Sequence, residues 1–135
     1  MIEYVAGFLF RNQGTQVALI EKQKPAWQAG KLNGIGGKIE PNESPEKAMI
    51  REFEEETGAH VVDWRLFCRL NGPDWTVHMY VSFDPVEIKS MEAEKVDWYY
   101  VEYIADHDTI PNLRWLIPLA LDPDHVTATV KDNHE

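Results

Sequence analysis

Apolar residues recur along the chain in short runs that match the period of β-strands. Ile2–Phe10 is almost wholly apolar, Gln16–Lys22 alternates between apolar and polar positions, and turn-forming residues separate the two. This pattern predicts two strands joined as a hairpin. Further strands are predicted at Val61–Leu70, Trp75–Phe83 and Val96–Val101, with a last edge strand at Val126–Val130.

Two other stretches have the spacing of helices. Ser44 offers a capping hydroxyl, Pro45 suits the first helical position and Gly58 is a natural stop. These signals predict a helix over Pro45–Thr57, and apolar residues at helical spacing predict a second over Asn112–Leu121. The resulting order, ββ-α-ββ-β-α, predicts an α/β fold in which a mixed β-sheet packs against helices.

Length and composition set the outer limits. A chain of 135 residues with 44% hydrophobic positions is expected to form a single domain, residues 1–135, with a real core. The single cysteine, Cys68, excludes a disulfide framework and a cysteine-based zinc site. No apolar run reaches membrane-spanning length, and the first residues lack the layout of a signal peptide, so a cytoplasmic location is expected.

The net charge limits the possible partners. A formal charge of −10 argues against binding to a nucleic-acid polymer or an anionic membrane, because phosphates would be repelled. If the ligand is a small anion, a bound metal ion is the obvious way to reverse the local sign.

The predicted helix over Pro45–Thr57 is unusually acidic near its C-terminal end. At about 100° per residue, Glu52, Glu55 and Glu56 share one side, away from the apolar face. Like charges four residues apart cost about 0.2–0.5 kcal/mol, and the negative end of the helix dipole adds to the cost. Arg51 can offset part of this by pairing with Glu55. The cluster is therefore either a solvated acidic face or a set of oxygen ligands for Mg²⁺ or Mn²⁺.

The wider spacing favours the second interpretation. The chain reads Gly37, five residues, Glu43, seven residues, then Arg51-Glu52-Phe53-x-Glu55-Glu56-x-Gly58. This resembles the signature of the Nudix hydrolases, and every charged and glycine position matches. Only Ala59 departs, where a larger aliphatic residue is usual.

The resemblance implies a Nudix fold, with the mixed sheet sandwiched between helices, and Mg²⁺- or Mn²⁺-dependent hydrolysis of a nucleoside diphosphate linked to another group. It implies that Glu52, Glu55 and Glu56 bind the metal, often with the backbone carbonyl of Gly37. It further implies that Arg51 orients the carboxylates and that Glu43 braces the preceding loop. Glu94 is the candidate for a further metal-binding or base-like carboxylate, with Glu92 as its rival.

The stretch from Trp27 to Lys38 is similar to that of MutT-type oxidised-purine nucleoside triphosphatases. By that likeness, Trp27 is an aromatic beside the base, Asn33 hydrogen-bonds a purine and Lys38 contacts phosphate, while Asn112 is a second candidate base reader. An amide offers both a donor and an acceptor, which suits a purine edge. Structural alternatives stay open: Trp27 as a loop aromatic, Asn33 as a turn residue and Glu94 as a solvated acid.

The expected function is hydrolysis of a nucleoside triphosphate, a purine deoxynucleotide that can be oxidised, such as 8-oxo-dGTP, to the monophosphate and pyrophosphate. The alternatives are hydrolysis of ADP-ribose, nucleotide sugars or dinucleoside polyphosphates, and a non-catalytic nucleotide-sensing domain. The sensing alternative expects eroded glutamates, whereas all three are present. The sequence leaves the preferred base and the oligomeric state open.

Overall fold

The computed structural model describes residues 1–132. Its strands and helices run in the following order: β1 Ile2–Arg11, β2 Gln16–Glu21, β3 Leu32–Asn33, β4 Ile35–Lys38, α1 Pro45–Thr57, β5 Arg65–Asn71, β6 Trp75–Phe83, β7 Lys95–Tyr100, α2 Leu113–Ala120 and β8 Ala128–Lys131. Short 3₁₀ helices occupy Ala26–Gln28 and Val101–Asp106.

All eight strands belong to one mixed sheet. Its main path is β3-β2-β1-β6-β5-β8, with β4 also paired to β1 and β7 to β2. The pairs β1–β6 and β5–β8 are parallel and the others are antiparallel. The predicted hairpin of the first two strands is confirmed by their antiparallel pairing.

The two helices cover opposite faces of the sheet. Alternate residues of β1 point to opposite faces, so Phe8 and Phe10 belong to one core and Val5 and Leu9 to the other. The first core includes residues of α2, and the second includes Met49 and Phe53 of α1. The expectation of a mixed sheet sandwiched between helices is therefore confirmed.

Local signals set both ends of α1, and its predicted bounds are confirmed. The Oγ of Ser44 accepts a hydrogen bond from the Lys47 N–H at 3.2 Å. Gly58 ends the helix with a φ of 77°, and its N–H donates to the Glu54 carbonyl. A left-handed residue at this position favours glycine, because a side chain would be strained there.

Two predicted strands need correction, and the structure adds two strands that were not predicted. The strand expected from Val61 begins only at Arg65, because the Trp64 indole turns back and donates to the Val61 carbonyl at 2.9 Å. The glycine-rich segment after Trp27 contains β3 and β4, which no apolar pattern had indicated. The last strand begins two residues later than expected, and it pairs in parallel with β5 at the sheet edge.

Among residues 1–132, no helix is both long enough and apolar enough to span a membrane.

Candidate active site

Arg51 is the centre of a charged network on α1. Its Nε and Nη2 donate to the two carboxylate oxygens of Glu43 at 2.7 and 2.9 Å, and Nη2 also donates to the Lys38 carbonyl at 3.1 Å. Its Nη1 donates to Glu52 at 2.9 Å and to Glu55 at 3.2 Å. The hydrogen bonds from Arg51 lower the pKa of Glu43 to about 2. Arg51 thus ties the segment before α1 to the acidic side of the helix.

Glu52 packs directly against the backbone of β4. A Cβ added to Gly37 would lie 2.6 Å from the Glu52 carboxylate, so a side chain at this position would displace it. The Glu52 side chain is only 14% exposed, and burial raises its pKa despite the nearby guanidinium. The absence of a side chain at Gly37 therefore leaves room for the Glu52 carboxylate in this position.

Glu56 is the least satisfied carboxylate of the cluster. Within residues 1–132, its Oε2 is buried and has no hydrogen-bond partner. Burial raises its pKa to about 7, and the charges of Glu92, Glu94 and Glu52 add to the effect. A buried acceptor without a donor costs about 1–3 kcal/mol, which a cation beside it would relieve.

These donors fit a hard divalent cation. Carboxylate oxygens on one rigid helix, one of them buried and unpaired, beside a glycine backbone, match what Mg²⁺ and Mn²⁺ bind. In the part of the chain that the structure describes, no group of three or more acidic, histidine or cysteine side chains is arranged to hold a metal ion.

The segment between β6 and β7 brings two more carboxylates to the cluster. It docks on the end of α1, where the backbone N–H of Met91 donates to the Glu56 carbonyl at 3.2 Å. Glu92 is exposed, whereas the Glu94 side chain is 13% exposed and pairs with Lys22 at 3.1 Å. Burial opposes ionisation of Glu94, but hydrogen bonds from Gln23 and Lys22 outweigh it and lower its pKa.

The expected base reader Asn33, in β3, is held by neutral hydrogen bonds. Its Nδ2 donates to Gln28 Oε1 at 3.0 Å, and its Oδ1 accepts from the Gly34 N–H at 2.7 Å. These contacts fix the direction of the amide and leave one N–H and one lone pair free. Trp27, in the adjoining 3₁₀ turn, is 60% exposed.

Asn112 lies just beyond a segment that runs beside β3. The Leu32 N–H donates to the Asp108 carbonyl at 2.8 Å, and the Ile110 N–H donates to the Leu32 carbonyl at 3.1 Å. Within residues 1–132, Asn112 Oδ1 is buried without a hydrogen-bond partner. Both candidate base readers are thus attached to the Leu32 region. Lys38 lies at the end of β4 with an exposed side chain.

Sequence reasoning missed two side chains, Gln28 and Lys22. Gln28 is five residues before Asn33, and nothing in that spacing indicates a hydrogen bond. Lys22 is 72 residues from Glu94, so only the pairing of β2 with β7 brings them together.

Comparison with known proteins gives a consistent family assignment. The family model for the NUDIX domain matches residues 2–124. The 8-oxo-dGTP diphosphatase of Escherichia coli is 36% identical over 66 residues, 49% of this chain and 51% of that protein. The CTP pyrophosphohydrolase of the same organism is 40% identical over 58 residues, 43% of this chain and 42% of that protein. The oxidized purine nucleoside triphosphate hydrolase of Mus musculus is 31% identical over 114 residues, 78% and 72% of the two chains.

The aligned part spans about half of each Escherichia coli relative. Solved structures share the fold. One MutT structure, from work on the Aliivibrio salmonicida and Vibrio cholerae proteins, superposes with a TM-score of 0.77 at 22% identity. That superposition covers 89% of this chain and 96% of the other.

Proposed function

This chain belongs to the Nudix family, and on that premise we propose that it is a metal-dependent pyrophosphohydrolase. Its reaction would cleave a nucleoside triphosphate to the monophosphate and pyrophosphate, with Mg²⁺ or Mn²⁺ as cofactor. The observation that carries the proposal is the buried, unpaired oxygen of Glu56 within the acidic side of α1. A carboxylate left unsatisfied by the protein itself is placed for a ligand of positive charge.

The roles follow from the contacts. Glu52, Glu55 and Glu56 would hold the cation, joined by the Gly37 carbonyl. Arg51 keeps two of these carboxylates from turning away, and Glu43 keeps Arg51 in place. When bound, a divalent cation neutralises phosphate charge and lowers the pKa of a bound water. Such a charge also lets a protein of net charge −10 accept a polyphosphate.

A purine nucleotide, including an oxidised one such as 8-oxo-dGTP, is the proposed substrate. Asn33 retains a free donor and a free acceptor, and Asn112 offers a buried acceptor, so together they can read a purine edge. Trp27 can stack on the base and Lys38 can contact phosphate. Two relatives named for 8-oxo-dGTP and oxidised purine triphosphates support this choice, while the one named for CTP makes a pyrimidine triphosphate the competitor.

A nucleotide panel with Mg²⁺ tests the proposal. We expect pyrophosphate, and not orthophosphate, to be released from nucleoside triphosphates, with purines ahead of pyrimidines. Faster turnover of ADP-ribose, a nucleotide sugar or a dinucleoside polyphosphate would refute the triphosphate assignment. Tight nucleotide binding without any turnover would instead indicate a sensing domain.

A further inference from the structure

We propose that Glu94 is a positioning residue that fixes the substrate loop, residues 23–30, and does not act as a ligand of the cation. Through Lys22 and the backbone of Gln23, it sets how well the loop presents Trp27 to a nucleoside and Gln28 to Asn33. This inference rests on the proposed function, because it assigns the loop to nucleotide binding.

The contacts of Glu94 use both of its oxygens. Oε1 accepts from Lys22 Nζ at 3.1 Å. Oε2 accepts from the backbone N–H of Gln23 at 2.6 Å and from that of Lys24 at 3.4 Å. The amide of Gln23 adds a hydrogen bond to the Ala93 carbonyl at 3.1 Å. Glu94 therefore has its partners within the protein, unlike Glu56.

Lys22 lies at the base of the substrate loop. Its carbonyl accepts from the Gly30 N–H at 2.7 Å, and its own N–H donates to the Lys31 carbonyl at 2.9 Å. Both ends of the loop thus meet at Lys22, whose side chain pairs with Glu94. Between these ends Trp27 is exposed and Gln28 is partly buried, so the anchor at the base controls where both lie.

Releasing the anchor should reduce the fraction of molecules whose loop is ready to bind. The apparent affinity for nucleotide falls by that same fraction, whereas the chemical step in bound molecules is unchanged. A loop that is ready in about a tenth of molecules would give a KM about tenfold higher at a similar kcat.

Because Glu94 and Lys22 carry opposite charges, substituting each of them distinguishes the two possible roles of Glu94. Glu94→Gln removes a negative charge near the acidic cluster, and Lys22→Met removes a positive one. If these side chains act only through their charge, Glu94→Gln weakens cation binding and Lys22→Met strengthens it. Acting as one anchor, both loosen the same loop, so their effects have the same sign.

The experiment compares Glu94→Gln, Lys22→Met, the double variant and the conservative Lys22→Arg, with Lys95→Met as control. Lys95 follows Glu94 directly and is exposed. We expect both single variants to raise the KM for a purine triphosphate about tenfold, with kcat and the Mn²⁺ midpoint of thermal stabilisation within about twofold of wild type. The KM of the double variant should be no higher than that of either single variant. Lys22→Arg should keep the wild-type KM because it keeps the positive charge, and Lys95→Met should leave all the measured quantities unchanged.

A tenfold weaker Mn²⁺ midpoint in Glu94→Gln but not in Lys22→Met would overturn the proposal and make Glu94 a metal ligand. Amide hydrogen exchange at Gln23 and Lys24 is a second measurement, which does not depend on enzyme activity. Faster exchange in Glu94→Gln is expected, and exchange at the wild-type rate would also overturn the anchor. Failure of the wild-type enzyme to release pyrophosphate would refute the proposed function, and the exchange result would still be readable.

Discussion

The acidic side of α1 and the region around Asn33 differ in how their polar groups are satisfied. On α1, one guanidinium donates to several carboxylates, and Glu56 keeps one buried oxygen unpaired within residues 1–132. Around Asn33, neutral groups already bond one another, from Gln28 through Asn33 to Gly34. The first region contains unfavourable electrostatics that a cation relieves, so it should govern stability and rate. The second is largely satisfied without ligand, so it should govern substrate choice.

The sharpest way to break this comparison is Glu56→Gln. The substitution keeps the shape of the side chain but removes a ligand charge, so activity should fall by about 100- to 1000-fold. Steady-state pyrophosphate release with Mg²⁺ measures the loss, and circular dichroism should show an unchanged fold.

Glu54→Gln is the matched control for that variant. Glu54 is on the same helix, but it is exposed and pairs with His60 at 2.7 Å. Its loss should change activity less than about twofold, since exposed pairs contribute little. Equal losses from Glu54→Gln and Glu56→Gln would show that the acidic side of α1 is not the reacting side.

Glu56 should also make the stability of the metal-free protein depend on pH. Its folded pKa of about 7 is above the ordinary 4.5, so folding favours the protonated form. The stability that Glu56 contributes is therefore full below pH 4.5 and lost as the pH rises through about 7. Glu56→Gln cannot ionise, so it should melt above wild type at pH 8, with a gap that closes by pH 5.

Added metal should reverse the order of the two melting temperatures, so that wild type melts above Glu56→Gln. Binding to the folded state at 100 times Kd stabilises by about 2.7 kcal/mol, or about 5–10 °C in a chain of this size. Wild type should gain this shift with Mg²⁺ or Mn²⁺ and Glu56→Gln should gain little. Superimposed melts of wild type with and without millimolar metal would contradict the cation site.

Local chemistry explains which parts of the molecule were predictable from sequence. The bounds of α1 follow from Ser44 and Gly58, and the pairing of Arg51 with Glu55 follows from their i,i+4 spacing. Long apolar runs such as β1 and β6 were predictable because their side chains enter the two cores. Each of these features needs only neighbours in the chain.

The features that escaped prediction depend on distant partners. β3 and β4 have two and four residues, and β4 contains two glycines, so only their ladders with β2 and β1 make them strands. β5 starts later than the apolar pattern indicates, after Trp64 has donated a hydrogen bond to the Val61 carbonyl. The sequence indicated a metal-binding, base-like or solvated role for Glu94, because only the sheet brings Lys22 beside it.

Asn33→Ala tests the second region. Removing a polar partner in a desolvated pocket costs about 1–3 kcal/mol, so purine turnover should fall about 10- to 100-fold in kcat/KM. The metal-induced melting shift should be kept, because the hydrogen bonds of the Asn33 side chain in the described structure are to Gln28 and Gly34 and not to the acidic side chains of α1. Equal losses for purine and pyrimidine triphosphates would mean that Asn33 only shapes the glycine-rich backbone.

The smallest expected effect comes from Gln28, which acts through Asn33. Its Oε1 accepts from Asn33 Nδ2 and, with the Gly34 N–H, fixes which end of the amide donates. Gln28→Met keeps the bulk but loses this acceptor, so Asn33 can turn over and present the wrong edge. One neutral hydrogen bond contributes about 1 kcal/mol, which corresponds to about a fivefold loss of purine kcat/KM. Gln28→Glu keeps an acceptor oxygen and should stay near wild type, while both variants should keep the wild-type rate on a pyrimidine triphosphate. If Gln28→Glu is as poor as Gln28→Met, the amide of Gln28 itself donates to the substrate. Substrate choice would then depend on the loop directly and not through Asn33.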